Sequence, residues 1–322
     1  MIRLSQSSRY WGVAVSAVVV SVAALLSGCS VPQANAGPTT SPVSTPATTS
    51  PARSASASPS RSSHVGPTAT AVAWRPAGPV IDGGPALYTA HPDSATWLLW
   101  MDPTRLRFRF IPGYKVPEGG PVRSVDLRPA TWLPGMLAAF NGGFRLADHA
   151  GGYFYDGRTV APLRAGLASL VVTLDGSLRV VVWRSGESTT GLLAVRQNLR
   201  PLVRSGRSTT SPQDGLLTWG RPLGGRLRTN RSALAVLADG SFVYVYVHDA
   251  TPVDLAREAI RAGAVTAMAL DMNSGWPGAL LYRHSASHMT ARLLSPVMIQ
   301  HLDGYNRQNQ KDFISVLDRR TP

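Results

Sequence analysis

An apolar run that stops abruptly at Asn-Gly-Gly constrains this chain more than any other feature. Met136 to Arg158 reads MLAAFNGGFRLADHAGGYFYDGR. Leu137, Ala138, Ala139 and Phe140 suit a buried strand. Asn141-Gly142-Gly143 breaks it, Gly151-Gly152 breaks the chain again, and Tyr153-Phe154-Tyr155 leads into a second turn at Asp156-Gly157. Glycine permits positive φ and lets another group approach the backbone closely. Successive exposed N–H groups in such a turn form a cradle for an anion. Asn-Gly is equally the strongest short hairpin signal, so the residues alone leave a plain hairpin and a binding turn open.

The N-terminus reads as a targeting segment. Arg3 and Arg9 precede an apolar stretch, Val13 to Leu26, which is short for a membrane-spanning helix. Leu26-Ser27-Gly28-Cys29 closes it and resembles a bacterial lipobox, whose cysteine is lipidated and becomes the first residue. Residues 1–28 are therefore expected to be a lipoprotein signal peptide, with the mature protein exported and held at the outer face of the cell membrane through a lipid on Cys29. Cys29 is the single cysteine of the chain, so an intrachain disulfide is excluded and the fold must rest on its core. Residues 29–71 are rich in Ser, Thr, Pro and Ala and poor in large apolar residues. Such a segment cannot bury enough surface to offset its ordering entropy, so it reads as a disordered tether.

Formal net charge is +14, from 32 basic against 18 acidic residues, and only Lys115 and Lys311 are lysines. A basic surface suits nucleic acid, anionic lipid or an anionic polymer. The arginines are scattered rather than gathered in a stripe, and no nucleic-acid motif is present, which favours phosphate-bearing or wall-polymer surroundings. P-loop, zincin, GxSxG and CxxC patterns are also missing. His284 and His288 are four apart, without a Glu partner or a helical pattern around them. No metal or cofactor is expected.

Folded sequence begins near Val72. Trp97 to Met101 reads as a buried strand. From Arg105 to Ile111 the chain alternates, with Leu106, Phe108 and Phe110 on one face and arginines on the other. Two hairpins, Leu170 to Trp183 and Leu234 to Val247, each turn at Asp-Gly-Ser; duplication and convergence on a favoured turn explain the likeness equally well. Thr251 to Gly263 predicts a helix, capped by Thr251 with Pro252 in its first turn, and with Val253, Ala256, Ile260 and Ala264 on its apolar face. Ala264 to Leu270 is then a small-residue strand that delivers Asp271 to a polar turn, as at the strand ends of α/β sites. Asp312 to Asp318 is a last short strand. The expected fold is α+β, with mixed, largely antiparallel sheets flanked by helices, in a single domain over residues 72–322.

Phe140-Asn141-Gly142-Gly143-Phe144, Asp156-Gly157, Arg231-Ser232-Ala233 opening a hairpin, the helix, and Leu270-Asp271, in that order, resemble the phosphodiester glycosidase family, whose lysosomal member uncovers mannose 6-phosphate by removing N-acetylglucosamine. The resemblance covers about residues 138–318. It implies hydrolysis of a sugar-1-phosphodiester, with a sugar-phosphate or envelope glycopolymer as the partner molecule. It also implies roles. Arg231 and the N–H groups of Gly142 and Gly143 would hold the phosphate, because a guanidinium fork matches two phosphate oxygens. Asp271 would be the main catalytic carboxylate and Asp249 the second. Asn141 and Asn273 would bind sugar hydroxyls or orient Asp271. One departure stands out: many members carry Leu-Asp-Gly-Gly-Gly-Ser where this chain has Leu270-Asp271-Met272-Asn273-Ser274, so a glycine nest is replaced by long side chains. A non-catalytic lipoprotein that binds an envelope glycopolymer is the alternative function.

Overall fold

The structure is a computed structural model, and it describes residues 66–67, 72–118, 125–285 and 288–321. These fall in one compact unit, Ser60–Pro322. The signal peptide, Cys29 and nearly all of the tether lie outside the described residues.

The alternating segment forms the strand Leu106–Ile111, with Leu106, Phe108 and Phe110 buried and Arg109 exposed. It is the edge of a five-stranded sheet ordered Met289–Leu293, Ala279–His284, Met136–Asn141, Phe313–Asp318, Leu106–Ile111. A second five-stranded sheet is ordered Leu178–Val182, Ala168–Thr173, Leu192–Gln197, Tyr153–Tyr155, Arg158–Ala161. The largest sheet has eight strands. Its middle is the hairpin Thr229–Leu237 and Phe242–Ala250, flanked by Thr96–Met101 on one side and Ala264–Met272 on the other. Every pairing between named strands is antiparallel within these three sheets. Both Asp-Gly-Ser turns close hairpins as expected, with Gly176 and Gly240 at positive φ.

The eight-stranded sheet is buried on both faces, which explains its almost unbroken apolar strands. One face packs Leu99, Leu234, Tyr244 and Leu270 against Phe108, Phe140 and Ile314 of one smaller sheet and Leu170 and Val172 of the other. Its opposite face packs Trp100, Ala235, Val245 and Ala267 against Leu255, Ala256 and Ala259 of the helix.

The helix is Pro252–Arg261, opened by a capping box between Thr251 and Asp254. Its buried stripe is rotated from the expected one: Leu255, Ala256 and Ala259 are buried, while Val253 and Ile260 are half-buried. Small alanines on that stripe let the helix lie close on the sheet. This is the single α-helix among the described residues. The fold is therefore mostly β, and the expected α+β arrangement with helix-flanked sheets is corrected. Faces that would need helices are covered by other sheets, and the apolar runs between glycines and prolines are of strand length rather than helix length. Asp271 likewise sits on an antiparallel strand, so the α/β rationale for its placement does not apply.

Candidate active site

Asn141-Gly142-Gly143 is not a hairpin turn. Met136–Asn141 runs between Ala279–His284 and Phe313–Asp318, and neither Gly142 nor Gly143 has positive φ. The glycines are required by close approach. A Cβ on Gly142 would stand 2.5 Å from Asp312 Oδ2, and one on Gly143 would stand 2.9 Å from Asn198 Oδ1 and 3.1 Å from the Arg196 guanidinium. The N–H groups do form an anion cradle, but this chain fills it itself. Gly142 N donates to the Asp312 carbonyl at 2.9 Å, Gly143 N to Asp312 Oδ2 at 3.3 Å, and Phe144 N to Asn198 Oδ1 at 3.0 Å.

Asp271 is brought to the same place by a β-bulge. Arg231 pairs with Met272 but Ala233 pairs with Ala269, so Leu270 and Asp271 together oppose Ser232. Bulges re-aim side chains in this way. Asp271 N donates to Gly142 O at 2.9 Å, and Ser232 Oγ donates to the Asp271 carbonyl at 2.9 Å. The carboxylate accepts from Met272 N at 2.8 Å and pairs with Lys311 Nζ. Burial pushes its pKa up to about 6, against the opposing pull of Lys311. Lys311 Nζ also lies 4.1 Å from the ring centre of half-buried Trp276, a cation–π contact.

Asp312 is the second carboxylate. It is fully buried, and its Oδ2 takes the Arg196 Nε–H at 3.1 Å. Arg196 in turn donates to Phe144 O and to Gln197 O. Burial raises the Asp312 pKa while Arg196 opposes it. Oδ1 has no partner among the described residues, an uncommon state for a buried oxygen. Asn141, Gly142, Gly143, Asp271, Lys311 and Asp312 thus share one pocket with Trp276 and Gln300. Its free volume is about 30 Å³, room for a single water.

Other expected site residues stand elsewhere. Asn141 lines the pocket, but its side chain is consumed by the frame: Oδ1 accepts from Tyr244 Oη at 2.8 Å and Gly278 N at 3.1 Å, and Nδ2 donates to Ser232 Oγ at 3.1 Å. Asn273 turns away, accepting from Leu223 N at 2.8 Å. Asp249 is exposed and pairs with Arg228 at 3.2 Å. Arg231 is buried, and its guanidinium serves the carbonyls of Ala250, Trp219 and Leu227 and the Met272 sulfur. Burial lowers its pKa to about 10, which leaves it charged. Arg231 therefore pins the 219–227 segment to the sheet. A lysine cannot reproduce four donor directions, so Arg231→Lys is expected to lower the melting temperature by several degrees. An unchanged melt with weakened binding of a phosphodiester analogue would return Arg231 to ligand binding.

Lys311, Asp312 and Arg196 escaped the sequence reading. Lys311 carries the one available signal, as one of two lysines, set beside an aspartate at the start of a strand.

Residues 134–271 match the sequence model of the phosphodiester glycosidase family. That stretch, under half of the chain, is similar to this family of hydrolases. It contains the glycine cradle, Arg196 and Asp271, whereas Lys311 and Asp312 lie beyond it. None of the curated proteins matches the chain. Among solved structures it is similar to the catalytic domain of zebrafish N-acetylglucosamine-1-phosphodiester alpha-N-acetylglucosaminidase, auto-inhibited by its pro-peptide. That pair is 12% identical with a TM-score of 0.42, covering 77% of this chain and 81% of the other. A hypothetical protein from Synechocystis is 13% identical with a TM-score of 0.40, covering 77% of this chain and 64% of that one.

Proposed function

We propose that this phosphodiester glycosidase relative is an exported lipoprotein, anchored through Cys29, that hydrolyses a sugar-1-phosphodiester on cell-envelope or extracellular glycans. The sugar is released and the phosphate stays on its partner. The observation that carries the reading is Asp271, a buried carboxyl with a raised pKa, held at a glycine-lined pocket beside a lysine. Perturbed, buried titrating groups in a cleft mark functional sites.

In this reading the substrate phosphate draws Lys311 off Asp271. Losing its cation, the buried carboxyl favours the protonated form and becomes a proton donor. The sugar C1–O bond breaks, and its electron pair goes to the phosphate oxygen, which is neutralised by the Asp271 proton. Water bonds to C1, and its surplus proton restores the acid. Asp312, tied to Arg196 and Gly143, holds the cradle in shape.

A second reading, a non-catalytic binder of an envelope glycopolymer, is favoured by Met272 and Asn273 standing where the resembled family carries its glycine nest. Sugar-sized ligands need pockets of several hundred Å³, so either reading requires the pocket to open beyond its water-sized free volume. Incubation with a panel of sugar-1-phosphodiesters, with product identification, separates the two; no product across the panel favours the binder. Mass spectrometry of the mature N-terminus should find a diacylglycerol adduct on Cys29, and an unmodified cysteine there would remove the anchor.

A further inference from the structure

Ten large apolar side chains are exposed among the described residues, and seven of them fall in two segments. One segment holds four leucines between positions 216 and 227; the other holds Val297, Ile299 and Leu302. Leu223 and Ile299 are each 66% exposed. Concentrations of this kind mark interaction surfaces, whereas singly scattered apolar residues do not.

Both segments are fastened to one turn, residues 273–276. Leu223 N donates to Asn273 Oδ1 at 2.8 Å, and Asn273 Nδ2 donates to Arg221 O at 3.4 Å. On the other side Gln300 Nε2 donates to Gly275 O at 2.7 Å, and a Cβ on Gly275 would meet Ile299 Cδ1 at 3.8 Å. The same turn carries Trp276, which lines the Asp271 pocket. The exposed leucines are interleaved with exposed Arg221 and Arg226. Neither segment contains a carboxylate, and the flanking ones are already matched, Asp214 by Arg200 and Asp303 by Arg307.

We propose that these two segments form a docking surface for an anionic lipid bilayer, with Leu223 and Ile299 at the boundary of headgroups and acyl chains and Arg221 and Arg226 against lipid phosphates. Apolar side chains set among arginines are the composition of elements that lie in the membrane interface. No helix among the described residues is long and apolar enough to cross a membrane, so the contact is a seating. It would turn the pocket mouth toward the lipid surface and put phosphodiesters borne by lipids within reach. The docking depends neither on turnover at Asp271 nor on lipid at Cys29.

A position-specific probe tests it in the full chain. Cys29→Ser removes the single cysteine, and Leu223→Cys then receives a polarity-sensitive fluorophore. Leu174→Cys, 67% exposed in a hairpin turn, serves as the reference, and thermal melting checks folding. Vesicles containing phosphatidylglycerol should blue-shift the label at position 223 and leave that at 174 unchanged, while phosphatidylcholine vesicles shift neither. Adding Arg221→Glu and Arg226→Glu should weaken the vesicle titration at least about tenfold. The proposal falls if position 223 does not respond, or if both labels respond equally, which would place the binding in the leader. It falls too if the shift follows protein concentration without vesicles, which would make the surface a contact between two copies.

Discussion

Arg196→Met is expected to lower the melting temperature by roughly 10 °C, the largest stability effect of any single change near the pocket. Arg196 is 2% exposed and Asp312 is fully buried. Removing the guanidinium leaves a buried carboxylate with only the Gly143 N–H against its Oδ2. Breaking a buried pair from one side costs about 3–5 kcal/mol, and each kcal/mol shifts the melt of a domain this large by about 2–4 °C. The sign of the pH dependence follows from Asp312. Its pKa is already raised by burial, and without Arg196 it rises further, so acid relieves the orphaned group by protonating it. The loss should be smaller at pH 5 than at pH 8. Arg196→Met combined with Asp312→Leu should recover much of the stability, because replacing both partners removes the uncompensated charge. Equal melts for parent and Arg196→Met at pH 8 would show that the pair does not hold the cradle.

Asp271→Asn is expected to abolish hydrolysis of any substrate found in the panel while keeping the fold. General acid–base help alone is worth about 10²–10⁴ in rate. A linked effect on stability is readable without a substrate. The Asp271 pKa, raised to about 6, exceeds that of an unfolded chain, so the folded state binds the proton more tightly. Its contribution favours folding below the ordinary carboxylate range and is lost as pH rises through 6. Asparagine does not titrate. The stability of Asp271→Asn relative to the parent should therefore improve between pH 4 and pH 7, by up to about 3 kcal/mol. Equal, non-zero turnover in parent and variant would remove Asp271 from the chemistry, and a pH-independent stability difference would place its pKa near the ordinary value.

Local patterns were read well from the sequence where local forces decide. The two Asp-Gly-Ser hairpins, the capped helix, the alternating Leu106–Phe108–Phe110 face and the strand that delivers Asp271 all follow from turn chemistry and periodicity. What escaped depends on pairing between distant strands. Nothing near Gly142 says that Asp312 will occupy its N–H groups, because that contact exists only once Phe313 lies beside Asn141. Arg231 fits the order of the resemblance, yet its donors go to four acceptors, three of them 12 or more residues away, that no spacing reveals. The helix-flanked expectation failed for a similar reason: an apolar strand does not record whether a helix or another sheet will cover it.

The position of Phe313–Asp318 also bears on how the protein acquires a site at all. Its two partners, Leu106–Ile111 and Met136–Asn141, lie in the first half of the chain. Contacts of such long sequence separation require loop closure before they stabilise anything, and they slow folding. Lys311 and Asp312 immediately precede this strand. A chain whose hairpins and helix have formed but whose ends have not met would hold Asp271 without its lysine and the glycine cradle without its carboxylate. Competence for the chemistry should therefore appear with the slowest phase of refolding, after most of the secondary structure is in place.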